Sequence, residues 1–70
     1  MEKVIFAIDW QPDLSCKIST ANERYSYLNI SRKIRSMREL KEAMDIISRK
    51  VNGTGGYVLY QHIWRGGIIT

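Results

Sequence analysis

Only one stretch of this chain spaces its apolar residues for a helix, and that limits the fold more than any other feature of the sequence. Between Ser36 and Val51, the residues Leu40, Ala43, Met44, Ile47 and Val51 recur at steps of three and four, which forms one stripe along a helix of 3.6 residues per turn. The other patterned segments alternate with period two. A lone helix with one apolar stripe covers one face of a sheet, because each element has one side to hide. The expected architecture is therefore α+β: an antiparallel sheet of about four strands in the order β-β-β-α-β, with one helix packed on one face.

Alternation sets the expected strands. Lys3 to Trp10 is nearly all apolar, with Val4, Phe6, Ile8 and Trp10 on one side and Ile5 and Ala7 on the other, as in a central strand. Gln11-Pro12-Asp13 is turn chemistry. Leu14 to Thr20 follows as a strand antiparallel to the first, with Leu14, Cys16, Ile18 and Thr20 inward and Ser15, Lys17 and Ser19 outward. After a second turn at Ala21-Asn22-Glu23, Arg24 to Arg35 reads as a third strand. Leu28, Ile30 and Ile34 mark its core side, which it shares with Ser26 and Arg32, and Tyr25, Tyr27, Asn29, Ser31, Lys33 and Arg35 lie opposite.

Ser36 and Glu39 have capping-box spacing at the helix start. Asn52-Gly53 supplies the stop, with Gly53 in the left-handed conformation. Thr54-Gly55-Gly56 is a loop, not a phosphate cradle, since it follows a helix and precedes a strand. Tyr57 to Trp64 is the last strand. Gly66-Gly67 permits a hairpin turn, with Ile68 to Thr70 as a short edge strand or a free end.

With 70 residues the chain is one domain, 1–70, and a domain of this size buries only roughly 60% of the surface its unfolded chain exposes. Small cores are commonly stapled or partnered. Cys16 is the only cysteine and His62 the only histidine, so no internal disulfide, metal or cofactor is expected, and association remains, as a homodimer or with a partner. No apolar run approaches the ~18 residues of a membrane span. The opening MEKVIFAIDW has acids at Glu2 and Asp9 and lacks the form of a secretory signal, so a cytoplasmic location is expected.

The segment SRKIRSMREL gathers Arg32, Lys33, Arg35 and Arg38 where the helix begins, although positive charge is unfavourable at a helix N-terminus. Pairs four apart account for part of the charge: Arg38 with Glu42, Lys41 with Asp45, and Asp45 with Arg49. Arg32, Lys33 and Arg35 find no local partner. Net charge is +4, which favours acidic partners. The face of the sheet that the helix leaves open would carry Lys17, Tyr25, Tyr27, Lys33 and Arg35. Tyrosines interleaved with cations on a sheet hold single-stranded nucleic acid by stacking and phosphate contact.

The expected function is thus a small non-enzymatic, regulatory binding module for RNA or single-stranded DNA. Its candidate binding residues are Lys17, Tyr25, Tyr27, Arg32, Lys33, Arg35 and Arg38. The alternative is a protein-interaction module docking on an acidic protein surface, such as a small phage-type inhibitor of a host protein or of a nucleic-acid-processing enzyme. Trp10 and Trp64 can stack together or anchor a partner, and core or half-buried packing is the default for both. Cys16 and His62 are the one nucleophile–base pair that can be written, and packing roles are expected for both.

Overall fold

A computed structural model of the chain describes residues 1–64. Along the chain these form β1 (Glu2–Trp10), β2 (Cys16–Ser19), a 3-10 segment (Glu23–Leu28), β3 (Ile30–Ile34), α1 (Met37–Asn52) and β4 (Gly56–Trp64). The expected turn at Gly66-Gly67 and the returning Ile68–Thr70 lie outside the described residues. The strands make one four-stranded sheet in the order β3-β2-β1-β4, with α1 against one face. The α+β architecture with a single covering helix is as expected.

The sheet is mixed, not purely antiparallel. β1 pairs antiparallel with β2, β2 antiparallel with β3, and β4 lies parallel to β1 in an unbroken register from Glu2↔Gly56 to Trp10↔Trp64. The reason is mechanical. A helix between two strands carries the chain back to the end from which it started, so β4 runs in the direction of β3. β3 in turn runs with β1, since two antiparallel pairings separate them. Once β4 takes the free side of β1, the pairing is parallel.

The core lies between α1 and the inner face of the sheet. Val4, Phe6 and Ile8 of β1, Cys16 and Ile18 of β2, Ile34 of β3, and Leu40, Ala43, Ile47 and Val51 of α1 are all buried. Full burial of side chains of the Val, Ile, Leu and Phe type contributes about 1.5–3 kcal/mol each. The helix stripe is therefore what binds the layers together. At its start, the Ser36 side chain accepts the Glu39 backbone N–H at 3.1 Å, which is half of the expected capping box. The other half is missing because the Glu39 carboxylate turns instead to Arg32. At its end Gly53 is right-handed, with φ −63°, and the left-handed residue is Gly55, with φ 88°. The helix therefore runs on through a further turn, in which the Thr54 and Gly55 N–H groups donate to the carbonyls of Val51 and Asn52.

The largest departure from the alternation pattern is at Arg24 to Asn29. The expected long third strand begins only at Ile30, and the segment before it is a 3-10 turn capped by the Asn22 side chain, which accepts the Arg24 N–H at 3.0 Å. A 3-10 helix brings residues three apart to one side. Tyr25 and Leu28 thus both turn into the core, while Tyr27 faces outward and is 68% exposed. The Tyr25 hydroxyl is hydrogen-bonded to the Thr54 side chain, which ties this segment to the far end of α1. Leu14, expected inward on β2, is instead at the tip of the β1–β2 turn and is 73% exposed.

Two substitutions test this packing. A Cβ at Gly56 would meet Val51 Cγ1 at 2.9 Å and the Glu2 carbonyl at 3.0 Å. The second contact is backbone in the β1–β4 ladder and cannot swing away, so Gly56→Ala should lower stability by about 1–3 kcal/mol in urea titration. Tyr25→Phe keeps the buried ring and leaves the Thr54 hydroxyl only its bond to the Val51 carbonyl. It should cost about 1 kcal/mol by the same measurement.

Candidate binding site at the end of the sheet

β1 ends, β2 begins, β3 ends and α1 begins at the same end of the molecule, and the cations singled out in the sequence gather there. The Gln11–Leu14 turn is closed by the Leu14 N–H donating to the Gln11 carbonyl at 3.0 Å. Asp13 organises it further. Its Oδ1 accepts the Ser15 hydroxyl at 2.6 Å and the Ser15 backbone N–H at 3.0 Å. Its Oδ2 receives Lys33 Nζ at 3.1 Å and lies 3.8 Å from the Arg35 guanidinium. The Ser15 hydroxyl, the Ser15 N–H and then Lys33 together hold the Asp13 carboxyl well below the usual carboxylate range.

Arg32 reaches Glu39 at 2.8 Å. Alternation had assigned Arg32 to the core side, and β3 avoids that by a register shift. Cys16 faces Ile34 and Ile18 faces Ile30, so the five residues Ile30–Ile34 oppose the three residues Cys16–Ile18. The surplus length lets both isoleucines point inward while Ser31, Arg32 and Lys33 stay exposed. The crowding of positive charge at the helix start is thereby explained in part, with Glu39 and Asp13 as counter-charges. Arg38 has no carboxylate at ion-pair distance among the described residues, and neither does Lys41; Asp45 pairs with Arg49 at 3.0 Å, as expected from their spacing.

Beside these cations lies an apolar hollow of about 270 Å³, lined by Trp10, Leu14, Cys16, Ile34, Met37 and Leu40, with Arg35 and Ser36 completing the wall. Leu14 and Met37 are 73% and 60% exposed. Trp10 stacks on Trp64, with ring centroids 5.2 Å apart and planes 12° from parallel, and donates its indole N–H to His62 Nδ1 at 2.9 Å. The apolar surface therefore continues from the hollow onto Trp64. Cys16 is at the buried side of the hollow, and burial pushes its thiol upward from the ordinary value, away from the thiolate form.

The backbone of Leu14 adds a constraint. Its φ is 68°, and it is the one non-glycine residue at positive φ among the described residues. Asparagine or glycine holds this conformation with less strain than leucine. Leucine here is thus unfavourable for the turn and unfavourable for exposure.

The other predicted site residues are not brought together. Tyr25 is in the core, which corrects its placement on an open sheet face. Tyr27 is on the 3-10 segment outside the sheet. Lys17 is half-buried on β2 opposite Asp9. Lys17 keeps its expected place on the open face, which also carries Ile5, Tyr57 and Leu59, with Lys3↔Tyr57 and Ile5↔Leu59 as cross-strand neighbours. Sequence reasoning missed Leu14 and Met37. The signal for Leu14 was the turn itself, since a chain reversing at Pro12-Asp13 carries the next residue to its tip.

No helix among the described residues is long and apolar enough to cross a membrane, and none of their His, Cys, Asp and Glu side chains group to hold a metal ion. No family model matches the chain, and no curated protein or solved structure is significantly similar to it.

The Asp13 cluster sets a pH dependence. Its folded-state value lies below the ordinary 3.8, so its contribution to stability is complete above that value and is lost as the pH falls beneath it. Asp13→Asn should melt at a lower temperature than the parent at about pH 7, and the gap should close as the pH is lowered from about 4 toward 2. Thermal unfolding followed by circular dichroism measures both.

Proposed function

We propose that the chain is a protein-interaction module whose end of the sheet seats an apolar anchor side chain from an acidic partner segment. The observation that carries this reading is Leu14, a largely exposed leucine on a left-handed backbone at the lip of an apolar hollow. Strained, unfavourable residues of this kind concentrate at functional sites. The hollow is below the roughly 300–1,000 Å³ of small-molecule pockets, which favours a single side chain over a free ligand. Charge supplies the rest of the specificity. Arg32, Lys33, Arg35 and Arg38 stand against Asp13 and Glu39, so cations exceed the carboxylates paired with them. Exposed ion pairs of this kind are worth about 0–1 kcal/mol, so an incoming acidic residue can exchange into them at little cost.

Nucleic acid is the weaker reading. The stacking surface it needs was to be built from Tyr25 and Tyr27, and these residues do not share a sheet face with the cations.

A displayed library of random peptides, selected on the full chain, separates the two. Selected peptides should share one Leu, Phe, Trp or Met flanked by Asp or Glu, and their binding should be visible in the emission of Trp10. Leu14→Asn should weaken that binding about tenfold while leaving the melting temperature equal or higher, since asparagine suits the turn. Arg35→Glu with Arg38→Glu should weaken it by at least as much, with a steep salt dependence. Tight binding of an oligothymidylate, lost in the double Arg variant, together with no acidic peptide selected, would overturn the proposal in favour of nucleic acid.

A further inference from the structure

The two edges of the sheet are built differently, and the difference points to an occupant for one of them. Edge strands expose unpaired N–H and C=O groups, and proteins blunt them with charges, bulges or short length. β3 has all three features: it is five residues long, it carries the register shift, and it presents Arg32 and Lys33. β4 has none. It runs nine residues, Gly56–Trp64, without a charged side chain or proline, and its register against β1 is unbroken. Among the described residues β4 pairs only with β1, which leaves its outer side without a ladder partner.

We infer that β4 is a self-association edge at which a second copy of this chain adds its own β4, antiparallel and about a two-fold axis, to give one continuous eight-stranded sheet. An open strand edge is a ready template for another extended backbone. A two-fold antiparallel pair uses the same groups on both sides, so the edge complements itself. Lacking charge, β4 sets no like charges against its copy. The register that overlaps all nine residues places Tyr60 opposite its symmetry mate, a pairing about 30 Å long at roughly 3.3 Å per residue. Leu59 then faces Gln61 of the second copy and Tyr57 faces Ile63, all on the face that α1 leaves open. The apolar strip of Ile5, Tyr57 and Leu59, with Leu59 47% exposed, becomes continuous across the axis. No residue of β4 lines the Leu14 hollow, although Trp64 stacks on Trp10 beside it, and the inference stands whether or not that hollow binds a peptide.

Sedimentation equilibrium of the full chain, from about 1 to 200 μM, tests it together with two charge variants. The parent should pass from a species of 8.2 kDa to one of about twice that mass. Leu59→Lys with Gln61→Lys sets like charges opposite one another and should raise the dimer dissociation constant about tenfold or more. Leu59→Lys with Gln61→Glu places opposite charges in the same positions and should retain the dimer. Both pairs alter side chains exposed in the single chain, and circular dichroism checks that both fold. A parent that stays monomeric at 200 μM overturns the inference. So does a dimer indifferent to both variants, which would use another surface, or one lost equally in both, which would use another register. Slow hydrogen exchange of the outward β4 amides in the dilute monomer overturns it as well, since the chain's own remaining residues would then cover the edge.

Discussion

One helix has one apolar stripe, and four strands have two faces. That mismatch governs this structure. The stripe of Leu40, Ala43, Ile47 and Val51 buries the middle of the inner face, over Val4, Phe6, Ile8, Ile18 and Ile34, and leaves the end around Trp10 and Trp64 partly open. At roughly 1.5–3 kcal/mol for each large side chain buried, this layer supplies most of the hydrophobic stabilisation available to so short a chain. No helix among the described residues covers the second face. The 3-10 segment is the chain's partial remedy, since it folds Tyr25 and Leu28 over the edge of the core and pins the Tyr25 hydroxyl to the far end of the helix.

The same scarcity shapes the polar end of the molecule. The helix must start beside the end of β3, and four cations are concentrated around that junction. Three of them, Arg32, Lys33 and Arg35, are met by two carboxylates from different parts of the chain: Glu39 from the first turn of the helix and Asp13 from the β1–β2 turn. Glu39 gives up the second half of its capping box to do so. The exchange is nearly even in energy, because an exposed ion pair and a capping hydrogen bond are each worth on the order of 1 kcal/mol or less. What it changes is geometry. Arg32 is held outward on a shifted strand, and Asp13 anchors the turn that presents Leu14.

Several parts of this were legible from residue spacing. The helix, its Ser36 cap, the central strand and the first hairpin follow from local chemistry. The failures are of two physical kinds. Pairing partners are a tertiary choice, so β4 was expected antiparallel when only the path through α1 determines its direction. Alternation also misleads where a short segment fits two periods. Tyr25, Tyr27 and Leu28 satisfy a strand on paper, but the Asn22 side chain caps a 3-10 turn and the period becomes three. That single change removes Tyr25 from the expected binding face. For the candidate site, spacing identified the cations and missed the apolar hollow, whose walls come from four separated segments.

Six of the nine large apolar residues that are exposed among the described residues fall into two regions, while Met1, Tyr27 and Ile46 stand apart from both. Ile5, Tyr57 and Leu59 occupy the uncovered face next to β4, whereas Leu14, Met37 and Trp64 ring the end of the sheet. A chain with a thin core has much to gain from moving such groups inward. Their separation argues against a general excess of apolar surface. The face region is continuous with a backbone edge, and the strand at that edge, β4, carries no charged side chain, which suits a flat, self-complementary contact. The end region is concave, strained at Leu14 and bordered by cations, which suits a protruding acidic segment. Under the two proposals these surfaces take different occupants, and the hollow, lined by no residue of β4, stays open when β4 pairs with a second copy.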